Sequence, residues 1–288
     1  WGSFDYSQQE PRIVVHYALI HDCKGTEELK QKFNNDKADF HQIVADMAKI
    51  SRKQAKTINL GLFYGMGKNK LRVELGLEQE GAKKLFDDYH RKVPFVKEIS
   101  EKFMEFSQDL KLIYTLEDRF CRFNRYETVD KRWINLKWQE WDKDITYIDK
   151  ETKKERKGKY IDVKLLTEEE ARAQAAKKYN EKMEKKWEQL EKHVQDEEFK
   201  EYYVPAFTYK ALNRMVQGSA ADMTKKAMVL LHKKGIIPHI QIHDELCLSV
   251  KDNMKDTVKN IMENAVPLEI NNKVDFESGP NWGTTSEE

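Results

Sequence analysis

Residues 1–20 read WGSFDYSQQEPRIVVHYALI, and their hydrophobic period changes within a few positions. Residues 1–6 are typical of a short strand, whereas apolar residues recur at helical spacing from Gln8 onward. This stretch predicts a strand that runs directly into a helix, with Asp5 near the end of the strand. A rigid scaffold often holds metal-binding carboxylates at strand ends, although a single acid at a turn more often has a structural role.

A second acidic junction lies in IQIHDEL (residues 240–246), where two apolar strands are predicted to meet in a tight turn at His243 and Asp244. If these strands pair beside the first strand, Asp5 and Asp244 converge. Two carboxylates suit Mg²⁺, which keeps several waters and takes other ligands from substrate phosphates. The two junctions therefore predict a magnesium site.

A third candidate is the helix predicted for SRKQAKTINLGLFY (residues 51–64), in which Arg52, Lys56, Leu60 and Tyr64 recur every fourth residue and form one stripe. Arg52 and Lys56 repel each other, so an anion between them is expected. A triphosphate would satisfy both cations and leave Leu60 and Tyr64 to pack against a base or sugar. The alternative is an ordinary amphipathic helix with a solvated basic end.

The composition is that of a globular chain that could be an enzyme. Of the 288 residues, 39% are hydrophobic and 35% charged, and no apolar run approaches the length of a membrane span. The 51 basic and 50 acidic residues give a net charge of +1, so any positive surface for nucleic acid must be local. Three scattered cysteines favour a reducing compartment over a disulfide framework or zinc site.

Periodicity and turn residues organise the rest of the chain. They predict two helices within residues 39–64, the second capped by Ser51, further helices at 78–90, 95–110, 213–232 and 253–265, and a strand near 273–276.

Residues 126–203 differ in composition and are interpreted as a charged helical insertion. A capping box at Thr167 and Glu170 predicts one long charged helix that continues to about Val194 and has few apolar residues on its faces. Its lysines could follow duplex phosphates or dock a partner, but its many glutamates favour a solvated surface.

Five motifs together resemble those of the family A (DNA polymerase I-like) DNA polymerases, including phage-type members. In chain order they are DYSQQEPR (5–12), DFH (39–41), the Arg-x3-Lys-x3-Leu-x3-Tyr-Gly helix (52–65), NRMVQGSAAD (213–222) and HDE (243–245). Leu60 stands where the best-known members have Phe or Tyr, and Asp118 where the family usually has Gly.

The resemblance implies an α+β fold in which a palm, a small antiparallel sheet with helices, carries helical fingers. Residues 1–38 would begin the palm, 39–110 form the fingers, 111–125 return to the palm, 126–203 form the insertion, and 204–288 complete the palm. The family's thumb and exonuclease have no counterpart in these residues. The chain would then be a truncated polymerase or one subunit of a split polymerase whose second polypeptide supplies them.

The resemblance also implies roles for individual residues. Asp5 and Asp244 would hold two Mg²⁺ ions with the backbone of Tyr6, supported by Glu245. Arg52, Lys56 and His41 would bind the triphosphate, and Lys56 would also protonate the pyrophosphate. Glu10, stacked with Tyr64, would exclude a ribose 2′-hydroxyl, and Gln8 and Leu60 would complete the nucleotide site. Asn213 and Gln217 would contact the minor groove, and His243 the primer end.

The implied activity is template-directed DNA synthesis in replication or repair, with primer–template DNA and deoxynucleotides as partners, in the cytoplasm of a bacterium or a phage-infected host. A single-subunit RNA polymerase relative shares the two aspartates and the basic helix, but Glu10 and Glu245 argue against it. A non-catalytic nucleic-acid-binding subunit is the other alternative, against which the intact Asp5, Lys56 and Asp244 argue.

Overall fold

The computed structural model of the chain describes residues 1–34, 39–48, 50–63, 68–129, 145–148, 155–158, 165–183 and 185–287. The chain forms two compact units, one comprising Trp1–Cys121 and Tyr209–Glu288, and the other Arg122–Thr208. Within these described ranges, no helix is both long enough and apolar enough to cross a membrane.

Helices make up most of the first unit. In chain order they are α1 (Gln9–Ile20), α2 (Thr26–Phe33), α3 (Phe40–Ala48), α4 (Arg52–Phe63), α5 (Lys68–Leu75), α6 (Gln79–Lys92), α7 (Pro94–Asp109), α8 (Glu168–Lys182), α9 (Lys192–Tyr202), α10 (Ala211–Lys233) and α11 (Lys255–Glu263). Of these helices, α8 and α9 belong to the second unit.

The strands are short and antiparallel. They are β1 (Gly2–Tyr6), β2 (Leu112–Tyr114), β3 (Phe120–Arg122), β4 (Tyr126–Thr128), β5 (Ile145–Ile148), β6 (Glu155–Gly158), β7 (Tyr203–Pro205), β8 (Ile240–Ile242), β9 (Glu245–Leu248), β10 (Val274–Ser278) and β11 (Ser286–Glu287). In the first unit, five strands form a sheet in the order β11-β10-β1-β9-β8. The predicted α+β class is confirmed.

The sheet and the first helix are joined as the sequence predicts. β1 passes through Ser7 and Gln8 into α1, and Gln8 has a left-handed backbone with φ of 56°. Helix α1 packs against α7 and α10. In this core the Tyr17 ring meets Phe103 edge-on, and its hydroxyl lies 3.3 Å from the Ser219 hydroxyl. Because α1 is held on both sides, the end of β1 is fixed in position.

Helix caps follow the predicted residues. Ser51 Oγ accepts from the Gln54 backbone N–H at 3.2 Å, while Gln54 Oε1 accepts from the Ser51 N–H at 3.1 Å. Thr167 and Glu170 make the same reciprocal pair at the start of α8. Both predicted capping residues are therefore confirmed.

The loop between β2 and β3 explains the unusual Asp118. This residue has φ of 58°, a left-handed conformation that favours glycine and that Asp tolerates better than most residues. Arg119 at the end of this loop pairs with the buried Asp222 on α10 and donates to the Gly218 carbonyl at 2.7 Å. Asp118 thus keeps the turn that glycine would otherwise supply.

The second unit has a hydrophobic core of its own. The buried residues of this core are Tyr126, Leu166, Ala171, Ala175, Tyr179, Trp187, Phe199 and Tyr203. Helix α8 has few apolar residues, as predicted, but Ala171, Ala175 and Tyr179 recur every fourth residue and are buried in this core. The tryptophans at 133, 138 and 141 lie outside the described residues.

The prediction of one helix to about Val194 is wrong. Helix α8 ends at Lys182, and Met183 is extended. The chain then turns so that Trp187 packs edge-on against Tyr179, with the ring centroids 5.7 Å apart. Asn180 Oδ1 accepts from the Trp187 N–H at 2.7 Å. Burial of the indole therefore outweighs the high helix propensity of this stretch.

Candidate active site

A row of carboxylates crosses the sheet of the first unit. Asp5 on β1 lies directly opposite Glu245 on β9 and directly opposite Asp275 on β10. Like charges in directly opposed positions destabilise a sheet. Asp244 precedes Glu245 in the turn between β8 and β9, and its carbonyl accepts from the Tyr6 N–H at 3.4 Å. Strand pairing thus places Asp5 and Asp244 together, in the arrangement that the sequence predicts.

These carboxylates hinder one another's ionisation. The Asp5 side chain reaches solvent, yet surrounding protein excludes part of its water shell, and this exclusion, together with Asp244 and Glu245, raises its pKa to about 7. Burial, followed by the charge of Glu245, also raises the pKa of Asp244. The Lys273 ammonium offsets only part of this charge, at 3.4 Å from Asp275. The site thus carries excess negative charge on carboxylate oxygens, which are the kind of ligand that Mg²⁺ prefers.

Removing one of these charges should stabilise the metal-free protein. The folded-state pKa of Asp5, about 7, exceeds its ordinary value of 3.8, so stability is lost as the pH rises from the lower value through the higher one. We expect Asp5→Asn to raise the melting temperature in EDTA at about pH 8 by ~2–3 °C. This value is smaller than the pKa shift alone would give, because solvent screens the charge of the exposed Asp5 side chain. The gain should shrink as the pH falls toward about 4.

Differential scanning calorimetry with and without Mg²⁺ checks this expectation. Mg²⁺ should raise the melting temperature of the wild type and leave that of Asp5→Asn nearly unchanged. Asp256→Asn is the matched control, because Asp256 is an exposed acid on α11. An Asp5→Asn protein that melts below the wild type in EDTA at the higher pH would contradict the charge-repulsion account.

Two residues absent from the sequence prediction hold Glu245. The Ser3 hydroxyl and the Cys247 thiol both donate to Glu245 Oε1, the thiol at 3.0 Å. Burial, then the adjacent Glu245 carboxylate, raises the pKa of Cys247 to about 12, so the thiol stays protonated and remains a donor. Strand alternation is the signal that could have found them, because Ser3 and Cys247 are directly paired on the strands that carry Asp5 and Glu245.

A cavity of about 670 Å³ lies beside the turn that carries Asp244, a size typical of small-molecule sites. Seven of the predicted site residues line it, namely Gln8, Glu10, His41, Lys56, Gln217, His243 and Asp244. Gln241 also lines it, and its amide donates to the His243 carbonyl at 3.1 Å. A polar residue between two apolar ones in a strand could have indicated this role for Gln241.

Two basic residues of the cavity, His41 and Lys56, lie on α3 and α4. Burial lowers the pKa of His41, as do the charges of Arg52 and Lys56, while Asp39 opposes the shift. Within the described residues, Lys56 forms no ion pair. Lys56 and His41 therefore present an ammonium and a neutral imidazole to the cavity.

Arg52 already has an anionic partner. Its guanidinium donates to Asp39 Oδ2 at 2.7 Å, and Asp39 Oδ1 accepts from the His41 N–H at 2.9 Å. Although burial opposes the change, the hydrogen bonds from Arg52 and from the Gln42 backbone hold the pKa of Asp39 below its ordinary value. The sequence prediction did not include this ionised partner.

The remaining predicted residues are placed as follows. The Tyr6 ring is buried and its hydroxyl donates to the Met262 carbonyl at 2.6 Å, so only the Tyr6 backbone lies near Asp244. Gln8 lines the cavity, but its Oε1 accepts from the Phe40 N–H at 2.7 Å. Asn213 lies one turn before Gln217 on α10 and is not part of the cavity lining.

Leu60 and Tyr64, the other two members of the predicted stripe, are not both described. Tyr64 lies outside the described residues, and so does the side chain of Leu60, although residue 60 belongs to α4.

Comparison with known proteins supplies independent information. The family described as DNA polymerase family A matches residues 1–139 and 149–284. The chain is 32% identical to a DNA-directed DNA polymerase of Pseudomonas phage M6, over 98% of the chain and 38% of that protein. It is 28% identical to DNA polymerase I of Caldicellulosiruptor bescii, over 98% of the chain and 26% of that protein.

A solved structure shares the fold. The POL domain of Pol1 from M. smegmatis, in complex with DNA primer-template and dNTP, superposes with a TM-score of 0.60 at 21% identity, covering 98% of this chain and 39% of that chain. This chain thus spans well under half the length of each of these proteins.

Proposed function

The chain belongs to DNA polymerase family A, and on that premise we propose that it performs template-directed DNA synthesis, adding deoxynucleotides to a primer 3′ end in replication or repair. The observation that carries the proposal is that acidic and basic side chains lie close together in the first unit. Asp244 lines the cavity that also contains Lys56 and His41, and Asp5 lies beside Asp244. Carboxylates for cations and bases for a triphosphate are what nucleotidyl transfer requires.

Asp5 and Asp244 would hold two Mg²⁺ ions with the backbone of Tyr6. When bound, such ions neutralise phosphate charge and stabilise the attacking and leaving oxygens of an in-line displacement. These residues suit Mg²⁺ because Asp5, Glu245 and Asp275 are carboxylates in directly opposed positions, and their excess negative charge favours a bound cation. Glu245, fixed by Ser3 and Cys247, would keep the geometry beside Asp5.

The basic side chains would bind and orient the triphosphate. Lys56 would hold a phosphate oxygen and give a proton to the pyrophosphate as it leaves, as general acid catalysis requires. His41 would donate a hydrogen bond without adding charge. Arg52 would exchange its bond with Asp39 for a phosphate when the nucleotide enters. Alignment and charge neutralisation are the main requirements of phosphoryl transfer.

The remaining residues would contact the sugar of the nucleotide and the DNA. Glu10 would close the space below the sugar, with Gln8, Leu60 and Tyr64 completing the nucleotide site. Asn213 and Gln217 lie one turn apart on α10, where they suit the minor groove, and the exposed His243 suits the primer end. The alternative is that the chain is inactive alone and is one subunit of a split polymerase. A second polypeptide would then supply the thumb and the exonuclease.

Two lysines on one helix offer a matched test. Lys53 and Lys56 are both exposed on α4, but of the two only Lys56 lines the cavity. We expect Lys56→Ala to weaken Mg²⁺-dependent dNTP binding by about 10–100-fold, because a charge-assisted bond to phosphate is lost. Lys53→Ala should bind as the wild type does.

Isothermal titration of dNTP with and without Mg²⁺, followed by primer extension, measures both variants. Equal losses in the two variants would indicate general electrostatic attraction and not a triphosphate site. A wild type without Mg²⁺-dependent dNTP affinity would favour the non-catalytic subunit instead.

A further inference from the structure

Three buried polar side chains form a line that ends at the cavity. His41, Asn59 and Tyr89 are 8%, 0% and 1% exposed, and they come from α3, α4 and α6. Asn59 Nδ2 lies 3.1 Å from His41 Nδ1, and the Tyr89 hydroxyl donates to Asn59 Oδ1. Neither Asn59 nor Tyr89 lines the cavity, so any influence they have on a bound nucleotide must pass through His41.

The directions of these bonds follow from the buried donors. If the Asn59 amide were reversed, its Oδ1 would face His41 and its NH₂ group would face the Tyr89 oxygen. The Tyr89 hydroxyl hydrogen would then lose its acceptor in a fully buried position, which is unfavourable. With the amide as found, Tyr89 donates to Oδ1 and Nδ2 donates to the His41 ring. Nδ1 of His41 is therefore an acceptor and carries no proton.

From this line of hydrogen bonds we infer that Asn59, locked by Tyr89, is a positioning residue that fixes His41 as the Nε2–H tautomer and so presents a neutral N–H donor to the cavity. The ring nitrogen that remains for a ligand is Nε2, because Asn59 occupies Nδ1. An imidazole with an unprotonated Nε2 would instead turn a lone pair toward a phosphate and repel it. The inference deepens the proposed function and rests on it for the identity of the ligand.

The surroundings of His41 make this control of the tautomer necessary. Arg52 and Lys56 disfavour an imidazolium, as burial does, and only Asp39 acts the other way. A neutral imidazole has two tautomers, and only one of them donates through Nε2. Asn59 selects that one. An apolar residue of similar volume at position 59 would fill the helix interface equally well but would leave the choice open.

Nuclear magnetic resonance of the histidine rings tests the inference directly. Two-bond proton–nitrogen correlation of the full chain with labelled histidine distinguishes the two tautomers, and His41→Gln identifies the His41 signals. We expect the Nε2–H tautomer in the wild type. Asn59→Asp, which has the same shape but only accepts hydrogen bonds, should place a proton on Nδ1. Asn59→Leu should give a mixture of tautomers.

Steady-state kinetics supply a second readout. A residue with a merely structural role would not change KM for dNTP while leaving kcat unchanged. Asn59→Leu should raise KM for dNTP by about fivefold to tenfold and leave kcat within about twofold, because a ground-state hydrogen bond is misdirected. Tyr89→Phe keeps the ring in place and should give a smaller change of the same kind. It also serves as the test if the Asn59 variants fail to fold.

The outcomes separate this inference from the proposed function. A wild-type His41 with a proton on Nδ1, or one whose tautomer is the same in Asn59→Asp and Tyr89→Phe as in the wild type, would overturn the inference even if the chain synthesises DNA. The spectrum needs neither DNA nor nucleotide. A chain that shows the expected tautomers but neither binds nor incorporates dNTP would contradict the proposed function and leave the positioning role intact.

Discussion

Asp244→Asn is expected to lower the rate of nucleotide incorporation by about 10³-fold or more, because the charge that a bound cation supplies to the reacting phosphate contributes several kcal/mol and each 1.36 kcal/mol is a factor of ten. Asn keeps the size of the side chain and one oxygen, so the turn after β8 should be undisturbed. Single-turnover extension of a labelled primer measures the rate. Affinity for primer–template DNA should change by less than about threefold, since the substitution adds no clash with DNA.

Asp256→Asn is the matched control for that substitution. Asp256 is exposed in the first turn of α11, so its loss changes the net charge by the same amount. Its extension rate should equal that of the wild type. If Asp244→Asn extends primers at more than about a tenth of the wild-type rate, Asp244 does not hold a catalytic cation.

Glu10→Ala should admit ribonucleotides. Glu10 is the second residue of α1 and lines the cavity that contains Lys56 and His41. Removing its side chain opens space below the sugar, and steric selection at one position is worth about 10–200-fold. We therefore expect the preference for dNTP over rNTP, taken as a ratio of kcat/KM values, to fall by about 10²-fold, mainly through faster rNTP incorporation.

Glu10→Gln separates size from charge. The amide fills the same volume, so selection against ribonucleotides should persist in this variant. Equal loss in Glu10→Ala and Glu10→Gln would point to the charge of Glu10 as the selecting feature. An unchanged sugar preference in both variants would remove Glu10 from the nucleotide site, and a wild type that prefers rNTP would favour the RNA polymerase alternative.

The sequence was sufficient to locate the two junctions that carry Asp5 and Asp244. The change of period at residues 1–20 located β1 and α1, and the apolar strands on either side of residue 244 located β8 and β9. Once three antiparallel strands are known, pairing brings Asp5 and Asp244 together. The acid at position 275 was missed because a single acid in a strand is ordinarily a solvent-facing residue, and only the register places it opposite Asp5.

The partners of the basic residues were beyond sequence reasoning for a different reason. Helical periodicity tells which residues of α4 share a face, but it does not tell which side chain of another helix meets that face. Asn59 therefore looked like any polar residue in an exposed helix, and Tyr89 lies thirty residues further along the chain. Their contact depends on how α3, α4 and α6 pack together.

The unpredicted helix break in the second unit has a third cause. The stretch after Lys182 is rich in good helix formers, so local propensity favours continuation. Burial of Trp187 against Tyr179 depends on tertiary structure, and it overrides the local preference. The sequence could only have indicated this through the isolated tryptophan in an otherwise charged region.

If this chain selects and joins deoxynucleotides under the direction of a template, single-nucleotide incorporation on four primed templates tests that activity most directly. Each template presents a different first base, and each dNTP is supplied alone with Mg²⁺. We predict that only the complementary dNTP is added to each primer, and that addition stops when Mg²⁺ is removed. Addition that ignores the template base, or a chain that neither adds any dNTP nor binds one in a Mg²⁺-dependent way, would contradict the proposed activity.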